Sequence, residues 1–355
     1  MNLVRFGWAD PFKTALTTLQ DTSLIPARVA SAQREHYRLW TENAVLPAAI
    51  SGKLRHLADR GELPVVGDWV AARSDPNQEQ AVIHALLPRR SALVRQAAGN
   101  TMEPQVLAAN VDLVFLVTSL NQDWNPRRIE RALALVWEAG AQPVLLLTKL
   151  DLCPDASAQL EAARAVALGV PVHALSVLDT RGLEVLDSYL APGRTLALIG
   201  SSGVGKSTLV NYLSGEERAA VSGIRADERG KHTTTHRELF ELPGGGLIID
   251  TPGMRELGMW EAQSGLDVTF QDLEVLAGDC RFHDCQHERE PGCSVQAAIA
   301  AGTLDAARYA GYCKLQRELA HQARRSDERL QVQYRTDTRK LNKQRKADQK
   351  THPKR

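Results

Sequence analysis

Residues 195–214, TLALIGSSGVGKSTLVNYLS, decide the fold of this chain. An apolar strand, Leu196 to Ile199, leads into a glycine-rich loop, and helical sequence follows the loop. The glycines of such a loop let backbone N–H groups turn inward around phosphates, and the positive end of the following helix adds to the attraction. Lys206 should reach the β and γ phosphates of a nucleotide, and the Ser207 hydroxyl should hold Mg²⁺. The residues expected to contact the nucleotide here are Gly200, Ser201, Ser202, Gly203, Val204, Gly205, Lys206, Ser207 and Thr208.

A second motif, TKLD at residues 148–151, closes an apolar strand and indicates which base is bound. An aspartate in this position can accept two hydrogen bonds, from the N1–H and the exocyclic amine of guanine. Adenine lacks donors in that arrangement, so ATP would leave the carboxylate unpaired, and a polar site rejects such a ligand strongly. Ser176, which follows the next apolar strand, is expected to close over the base through its backbone. The GTP contacts predicted from the motif itself are Thr148, Lys149, Leu150 and Asp151.

Two further motifs are candidates for the magnesium shell and the γ phosphate. Asp250 follows a short apolar strand and is predicted to hold a water on Mg²⁺, while the N–H of Gly253 is predicted to sense the γ phosphate. One threonine of the run at residues 233–235 could complete the shell beside Ser207. We choose Thr234 for this role.

His232 is the candidate catalytic residue. Ras-like GTPases carry a glutamine after the glycine of the DxxG motif to orient water, whereas this chain has Met254 there, so intrinsic hydrolysis should be slow. An imidazole can orient or deprotonate a water near neutral pH. The alternative is that His232 merely packs within its loop.

The order of the motifs is permuted, because Asp151 precedes the phosphate loop. A circular permutation leaves the sheet and its pocket intact. From Val111 onward, apolar runs of strand length alternate with helical stretches, which indicates a mostly parallel α/β sheet. A helix is predicted over residues 126–139, with an asparagine cap before it, a proline at its first position and a glycine after it. Between residues 26 and 88, short alternating runs separated by Gly, Pro, Asp and Asn predict a small all-β barrel or sandwich.

Cysteines and histidines crowd into one short segment and predict a metal site. The candidate ligands are Cys280, Cys285, His287 and Cys293. Three thiolates and one imidazole make a full tetrahedral set for Zn²⁺ and leave no open position, which favours one structural ion. His283 could replace His287 as the nitrogen ligand. Cys153 and Cys313 lie apart and are expected to be ordinary reduced residues.

The length, composition and charge of the chain are typical of a globular protein and argue against a membrane-spanning or secreted one. The chain has 355 residues, of which 43% are hydrophobic and 24% charged, and these values are typical of a globular protein with two or three domains. No apolar run approaches the ~20 residues that span a bilayer, and Asp10 and Pro11 interrupt the apolar segment that a secretory signal needs, so we expect a cytoplasmic protein. The net charge is +1, yet residues 335–355 carry nine Lys and Arg against two Asp. Such a tail is typical of polyanion binding, with a merely solvated tail as the alternative.

The combined pattern resembles one family. The motifs TKLD, GSSGVGKS, KHTTT and DTPG in this order, preceded by VVGDWV and AANVDLVFLV and followed by CRFHDCQHEREPGC, are similar to those of the RsgA GTPases over roughly residues 25–313. The resemblance implies an N-terminal OB-fold barrel, a circularly permuted P-loop GTPase domain and a C-terminal α-helical zinc-binding domain. It also implies GTP hydrolysis that the small ribosomal subunit stimulates late in its maturation, and a catalytic role for His232.

These observations divide the chain into four parts. We expect an OB-fold domain with a flexible leader at 1–105, the GTPase domain at 106–260, the zinc-binding domain at 261–325 and a basic tail at 326–355. The expected partners are the small ribosomal subunit with its rRNA and GTP or GDP, with no membrane, and the free protein is expected to be a monomer. The alternative function is an RNA-binding checkpoint protein that uses GTP occupancy as a sensor, with hydrolysis secondary. A third hypothesis, an ATP-dependent enzyme, fails unless Asp151 lies away from the base.

Overall fold

The computed structural model describes residues 2–33, 36–57, 63–74, 80–96, 104–121, 124–216, 237–250 and 262–326. The strands are β1 (Ile25–Gln33), β2 (His36–Trp40), β3 (Val45–Ile50), β4 (Trp69–Ser74), β5 (Ala81–Leu86), β6 (Ala92–Gln96), β7 (Pro104–Ala109), β8 (Leu113–Ser119), β9 (Gln142–Thr148), β10 (Val172–Ala174), β11 (Thr195–Ile199), β12 (Glu238–Glu241) and β13 (Leu247–Asp250). The α-helices are α1 (Asp10–Thr18), α2 (Gly52–Leu57), α3 (Pro126–Glu138), α4 (Ser157–Val166), α5 (Lys206–Ser214), α6 (Gln263–Thr269), α7 (Gln271–Gly278), α8 (Ser294–Ala300) and α9 (Ala306–Ser326). Short 3-10 helices lie at Leu3–Phe6, Leu150–Leu152 and Glu184–Tyr189.

The first five strands form a closed barrel. Strand β1 pairs antiparallel with both β2 and β4, and β2 pairs antiparallel with β3. Strand β3 pairs parallel with β5, and β5 pairs antiparallel with β4, so the ring closes. Alternate side chains such as Val29, Leu39 and Ile83 fill its interior and are fully buried. Of the barrel and the sandwich that the alternating runs allowed, the structure has the barrel, and its five strands agree with the OB-fold that the family resemblance implied.

The second half of the sheet carries the α/β domain. Strands β10, β9, β8, β11 and β13 lie side by side in parallel, and β12 adds an antiparallel edge. Every residue of β8 and β11 is buried, as expected for strands covered on both faces. The mostly parallel sheet is therefore confirmed. Through Ser31 opposite Glu238, β1 of the barrel pairs with β12, so within the described residues both domains share one sheet of eleven strands.

Helix α3 begins and ends as its sequence predicts. The Asn125 side chain accepts hydrogen bonds from the backbone N–H groups of Arg127 and Arg128, at 3.0 and 3.2 Å. Pro126 occupies the first helical position, and Gly140, just past the end, has a φ of +75°. This helix packs on β8 and β9 and also against α6 and α9. It therefore lies between the parallel sheet and the C-terminal helices.

The N-terminal leader, expected to be flexible, is instead packed. The 3-10 helix Leu3–Phe6 and helix α1 bring Phe6 and Phe12 into the core, where both are almost fully buried. The Phe12 ring centroid lies 5.8 Å from that of Trp69 on β4. Aromatic rings bury large apolar areas and hold such a segment in place.

The C-terminal region is helical, as predicted. Helix α6 crosses α3 so closely that a Cβ on Gly265 would lie 1.9 Å from the carbonyl oxygen of Ala134. Of the proposed domain boundaries, 105 falls inside β7 and 325 near the end of α9, while 260 lies outside the described residues. Across the described ranges, no helix combines the length and the apolar character that crossing a bilayer requires.

Candidate functional site

The glycine-rich loop joins β11 to α5 and has little room for side chains. A Cβ on Gly200 would lie 2.1 Å from the carbonyl oxygen of Val117 on the neighbouring β8. Gly203 and Gly205 have φ values of +79° and +100°, which L side chains rarely adopt. The chain can therefore turn sharply and start α5 at Lys206.

The Lys206 amine lies over this loop. Its Nζ donates to the carbonyl oxygens of Gly200 and Ser201, at 2.6 and 2.5 Å. Ser207 and Thr208 follow in the first turn of α5, where the backbone N–H groups have no partner within the helix. A phosphate chain bound here would meet both the Lys206 amine and the backbone N–H groups at the N-terminus of α5.

Thr148 connects the TKLD motif to the glycine-rich loop. It ends β9 and is buried, and its hydroxyl donates to the carbonyl oxygen of Val204 at 2.5 Å, with the carbonyl oxygen of Thr118 at 3.2 Å. Lys149 follows with a φ of +61°, a left-handed conformation that turns the chain into the 3-10 helix at Leu150. The two predicted motifs are therefore in direct contact.

Asp151 and Ser176 meet at the end of β9 and β10. The Ser176 hydroxyl donates to Oδ1 of Asp151 at 2.7 Å, and the Ser176 N–H donates to the carbonyl oxygen of Arg181 at 2.9 Å. Sequence reasoning assigned Ser176 a backbone role, and the structure adds a side-chain contact that fixes the orientation of the Asp151 carboxylate. Because β10, β9, β8 and β11 lie side by side in a parallel sheet, the base motif, this serine and the glycine-rich loop share one edge.

The remaining predicted residues divide into two groups. Asp250 ends β13 and pairs in register with Glu238 of β12. His232, Thr234 and Gly253 lie outside the described residues.

Sequence reasoning did not find Arg128, which also reaches the glycine-rich loop. Its Nη1 donates to the Ser201 hydroxyl at 2.7 Å. Arg128 lies in the first turn of α3. This helix follows β8, the strand that lies next to β11 in the sheet. The pair of arginines after Asn125 and Pro126 was the available signal, since parallel strands end at the same edge.

A buried ion network joins α3 to the C-terminal helices, and its residues are far apart in sequence. Nη1 of Arg308 on α9 donates to Glu130 of α3 at 2.9 Å, and its other nitrogens donate to Asp272 of α7 at 2.7 and 2.8 Å. Arg127 also contacts Glu130, at 2.5 and 2.8 Å. Burial raises the pKa of the Glu130 carboxyl, and the guanidinium groups of Arg127 and Arg308 oppose that rise. The network fixes the C-terminal helices on the helix that carries Arg128.

The predicted metal ligands converge. The ligand atoms of Cys280, Cys285, His287 and Cys293 all lie within 4.8 Å of one another. The Cys280 and Cys293 sulfurs are 3.9 Å apart, and Nδ1 of His287 lies 3.5 and 3.4 Å from them. Tetrahedral bonds of about 2.3 Å to sulfur and about 2.0 Å to nitrogen would give edges of about 3.8 Å between sulfurs and about 3.5 Å between sulfur and nitrogen, so the set fits Zn²⁺. His283 is not part of the cluster.

Helices α8 and α9 position the histidine of this cluster. His287 has a φ of +58°, and its carbonyl oxygen accepts hydrogen bonds from Nε2 of Gln296 at 2.6 Å and from the Tyr309 hydroxyl at 3.2 Å. Cys293 caps α8, its sulfur accepting from the Gln296 N–H at 3.4 Å. The supporting contacts come from outside the cysteine-rich loop and hold it against the helices.

Comparison with known proteins gives a consistent family. The family model described as RsgA GTPase matches residues 86–260. A relative from Opitutus terrae is 47% identical over 92% of both chains, and one from Syntrophotalea carbinolica is 43% identical over 99% of both. Both carry the name small ribosomal subunit biogenesis GTPase RsgA.

Solved structures show the same architecture. YloQ, described as a circularly permuted GTPase, is 27% identical with a TM-score of 0.62, over 84% of this chain and 96% of its own. YjeQ from Thermotoga maritima is 27% identical with a TM-score of 0.63, over 83% of this chain and 98% of its own. The permuted motif order predicted from the sequence is therefore confirmed. On this identity along nearly its whole length, the chain belongs to the RsgA family of circularly permuted GTPases and is an enzyme that hydrolyses GTP.

Proposed function

We propose that this GTPase acts on the small ribosomal subunit late in its maturation and that the subunit stimulates its GTP hydrolysis. The observation that carries the proposal is the junction of three elements at one sheet edge: the phosphate loop, Thr148 bound to Val204, and Asp151 oriented by Ser176. The names of the relatives support the choice of partner. An OB barrel beside the GTPase sheet and the basic sequence of residues 335–355 are suited to rRNA.

The nucleotide contacts follow from the chemistry of the site. Asp151 accepts from the guanine N1–H and amine, while Lys206 exchanges its two carbonyl contacts for the β and γ phosphates. The backbone N–H groups of residues 200–208 surround the phosphate chain. The other base contacts proposed are Thr148, Lys149, Leu150 and Ser176.

Hydrolysis requires groups around the γ phosphate. Ser207 and Thr234 would hold the magnesium ion that accompanies GTP, with Asp250 acting through a water, and the ion would supply positive charge against the phosphates. Gly253 senses the γ phosphate through its N–H. His232 orients the attacking water, because Met254 stands where other GTPases have a glutamine.

The Cys₃His cluster holds one zinc ion with a structural role. Four protein ligands leave no position for substrate, and the cluster packs on α8 and α9 rather than at the nucleotide edge. Loss of the ion should therefore loosen the C-terminal helices and leave the nucleotide pocket formed. The division at residues 105, 260 and 325, a cytoplasmic location and a monomeric free state complete the proposal.

A second candidate is a checkpoint protein that binds RNA and uses GTP occupancy as a sensor. Met254 supports it, because a site without a glutamine can hold GTP with little turnover. In that case the protein would bind the subunit in a nucleotide-dependent way, and hydrolysis would be secondary.

Steady-state turnover of GTP and ATP by the full chain separates the two. The assay is run alone and with purified small subunits, large subunits or naked rRNA, with Lys206→Ala as the inactive control. Large stimulation of GTP turnover by small subunits alone supports the proposal. Tight, nucleotide-dependent subunit binding without stimulation supports the sensor and removes the catalytic assignment of His232.

A further inference from the structure

We propose that Arg128 is a further phosphate-binding residue of this GTPase, which contacts the terminal phosphate and thereby separates GTP from GDP. The inference deepens the proposed function and rests on the nucleotide site described there. It concerns a residue outside all the motifs, on a helix that follows a different strand.

The position of Arg128 is fixed at both ends. Its backbone N–H donates to the Asn125 cap at 3.2 Å, in the first turn of α3. Its Nη1 donates to the Ser201 hydroxyl at 2.7 Å, across 73 residues of sequence. The fold therefore brings the guanidinium against the glycine-rich loop.

Arg128 contacts the same loop residue as the lysine that reaches the terminal phosphates. The phosphate-loop lysine is the group that reaches the β and γ phosphates. Here Nζ of Lys206 lies 2.5 Å from the carbonyl oxygen of Ser201, and Arg128 binds the side chain of this same residue. Two cations therefore meet at Ser201, and both are placed for the γ phosphate.

The chemistry of the side chain suits this role. A guanidinium presents a planar fork of donors that matches phosphate oxygens and keeps its charge at every physiological pH. The transferred γ-phosphoryl group spreads negative charge over its oxygens in the transition state, and an arginine supplied in cis stabilises that charge. Arg128 would serve GTP binding and hydrolysis together.

The neighbouring arginines of α3 have different partners. Arg127 pairs with Glu130 and with Asp305, and Arg131 pairs with Glu318 of α9 at 2.6 Å. Arg127 thus reaches Asp305, just before α9, and Arg131 reaches Glu318 on α9, whereas the Ser201 contact of Arg128 is made to the phosphate loop. Arg131, one turn along the same helix, is thus a matched control.

The test compares affinities for GDP and for the non-hydrolysable analogue GMPPNP, each with Mg²⁺, by calorimetry on the full chain. Arg128→Ala should weaken GMPPNP binding by about tenfold, equivalent to about 1.4 kcal/mol, and change GDP binding less than about twofold. Arg128→Lys, which keeps the charge but loses the fork, should fall between. Ser201→Ala, which removes the hydroxyl that Arg128 contacts, should weaken GMPPNP binding by less than Arg128→Ala does and change GDP binding less than about twofold. Arg131→Ala should leave both affinities at the wild-type value.

Two outcomes would overturn the inference. If Arg128→Ala weakens the binding of GDP and of GMPPNP equally, Arg128 only shapes the loop. If the substitution weakens the binding of neither nucleotide, Arg128 has no role in binding. Lys206→Ala should weaken the binding of both nucleotides. This control establishes that the measured affinities refer to the site at the glycine-rich loop. Failure of the wild-type chain to bind GMPPNP would overturn the proposed function itself, and the two failures are therefore distinguishable.

Discussion

The substitution Arg308→Met should weaken the packing of the C-terminal helices on α3. Arg308 is 4% exposed, and its guanidinium donates to Glu130, to Asp272 and to the carbonyl oxygen of Thr269. It also lies 4.7 Å from the ring centroid of Phe270. Methionine keeps an unbranched apolar side chain there and removes the charge with all its donors.

The expected loss follows from what remains. Removing one partner of a buried ion pair lowers the free energy of unfolding by about 3–5 kcal/mol, because the other charge is left without compensation. Arg127 still contacts Glu130, and the Asp272 side chain is 29% exposed and can be hydrated. We therefore expect Arg308→Met to lower the free energy of unfolding by about 3 kcal/mol, at the lower end of that range.

The loss should also depend on pH. Burial already raises the pKa of Glu130 above its ordinary value of 4.5, and without Arg308 one of the two charges that oppose the rise is gone. A carboxyl whose pKa is higher in the folded state binds protons more tightly when folded. The stability of the variant relative to the wild type should therefore fall as the pH rises above 4.5.

Urea denaturation, with hydrogen exchange of the α9 amides, measures the effect. Arg131→Met is the control, because its pair with Glu318 also joins α3 to α9 but both side chains are about a third exposed, so it should cost less than about 1 kcal/mol. The double variant Glu130→Leu with Arg308→Met should regain part of the loss. The reasoning is refuted if Arg308→Met costs no more than Arg131→Met.

Three other changes test the nucleotide and metal sites. Asp151→Asn should remove the preference for guanine and admit xanthosine triphosphate, as read from turnover of both nucleotides; an unchanged GTP preference would place Asp151 away from the base. Cys285→Ser should lower the zinc content from one ion per chain and reduce thermal stability, with Cys313→Ser as the control that keeps both; equal zinc in the two variants would contradict the ligand set. His232→Ala should reduce GTP turnover far more than GTP affinity, and a parallel fall in both would assign the histidine to binding alone.

Local patterns carried most of the sequence predictions. The strand, glycine loop and helix of residues 195–214 lie within one continuous segment, and so do the cap, proline and terminal glycine of α3. Each depends on contacts between near neighbours, which a sequence displays directly. The all-β domain could be predicted equally well, since inward-facing apolar residues recur at every second position of its strands.

The contacts that sequence reasoning missed join distant segments. Arg128 and Ser201 are 73 residues apart, and Arg308 and Glu130 are 178 apart. The sequence around Arg128 does not show that its partner is Ser201, and the sequence around Arg308 does not show that its partner is Glu130. Both pairings are set by which strands and helices become neighbours in the fold. The choice between His283 and His287 was open for the same reason, since Gln296 and Tyr309 hold the loop from outside it.

The pairing of β12 with β1 also bears on solubility. β12 is the antiparallel edge of the α/β sheet, and its outer side is covered where Ser31 lies opposite Glu238 and where Arg38 pairs with Glu238 at 3.0 Å. An uncovered edge strand presents backbone donors and acceptors to other chains and is a template for aggregation. The barrel therefore protects the α/β domain from self-association, and a fragment that begins after the barrel would expose that edge.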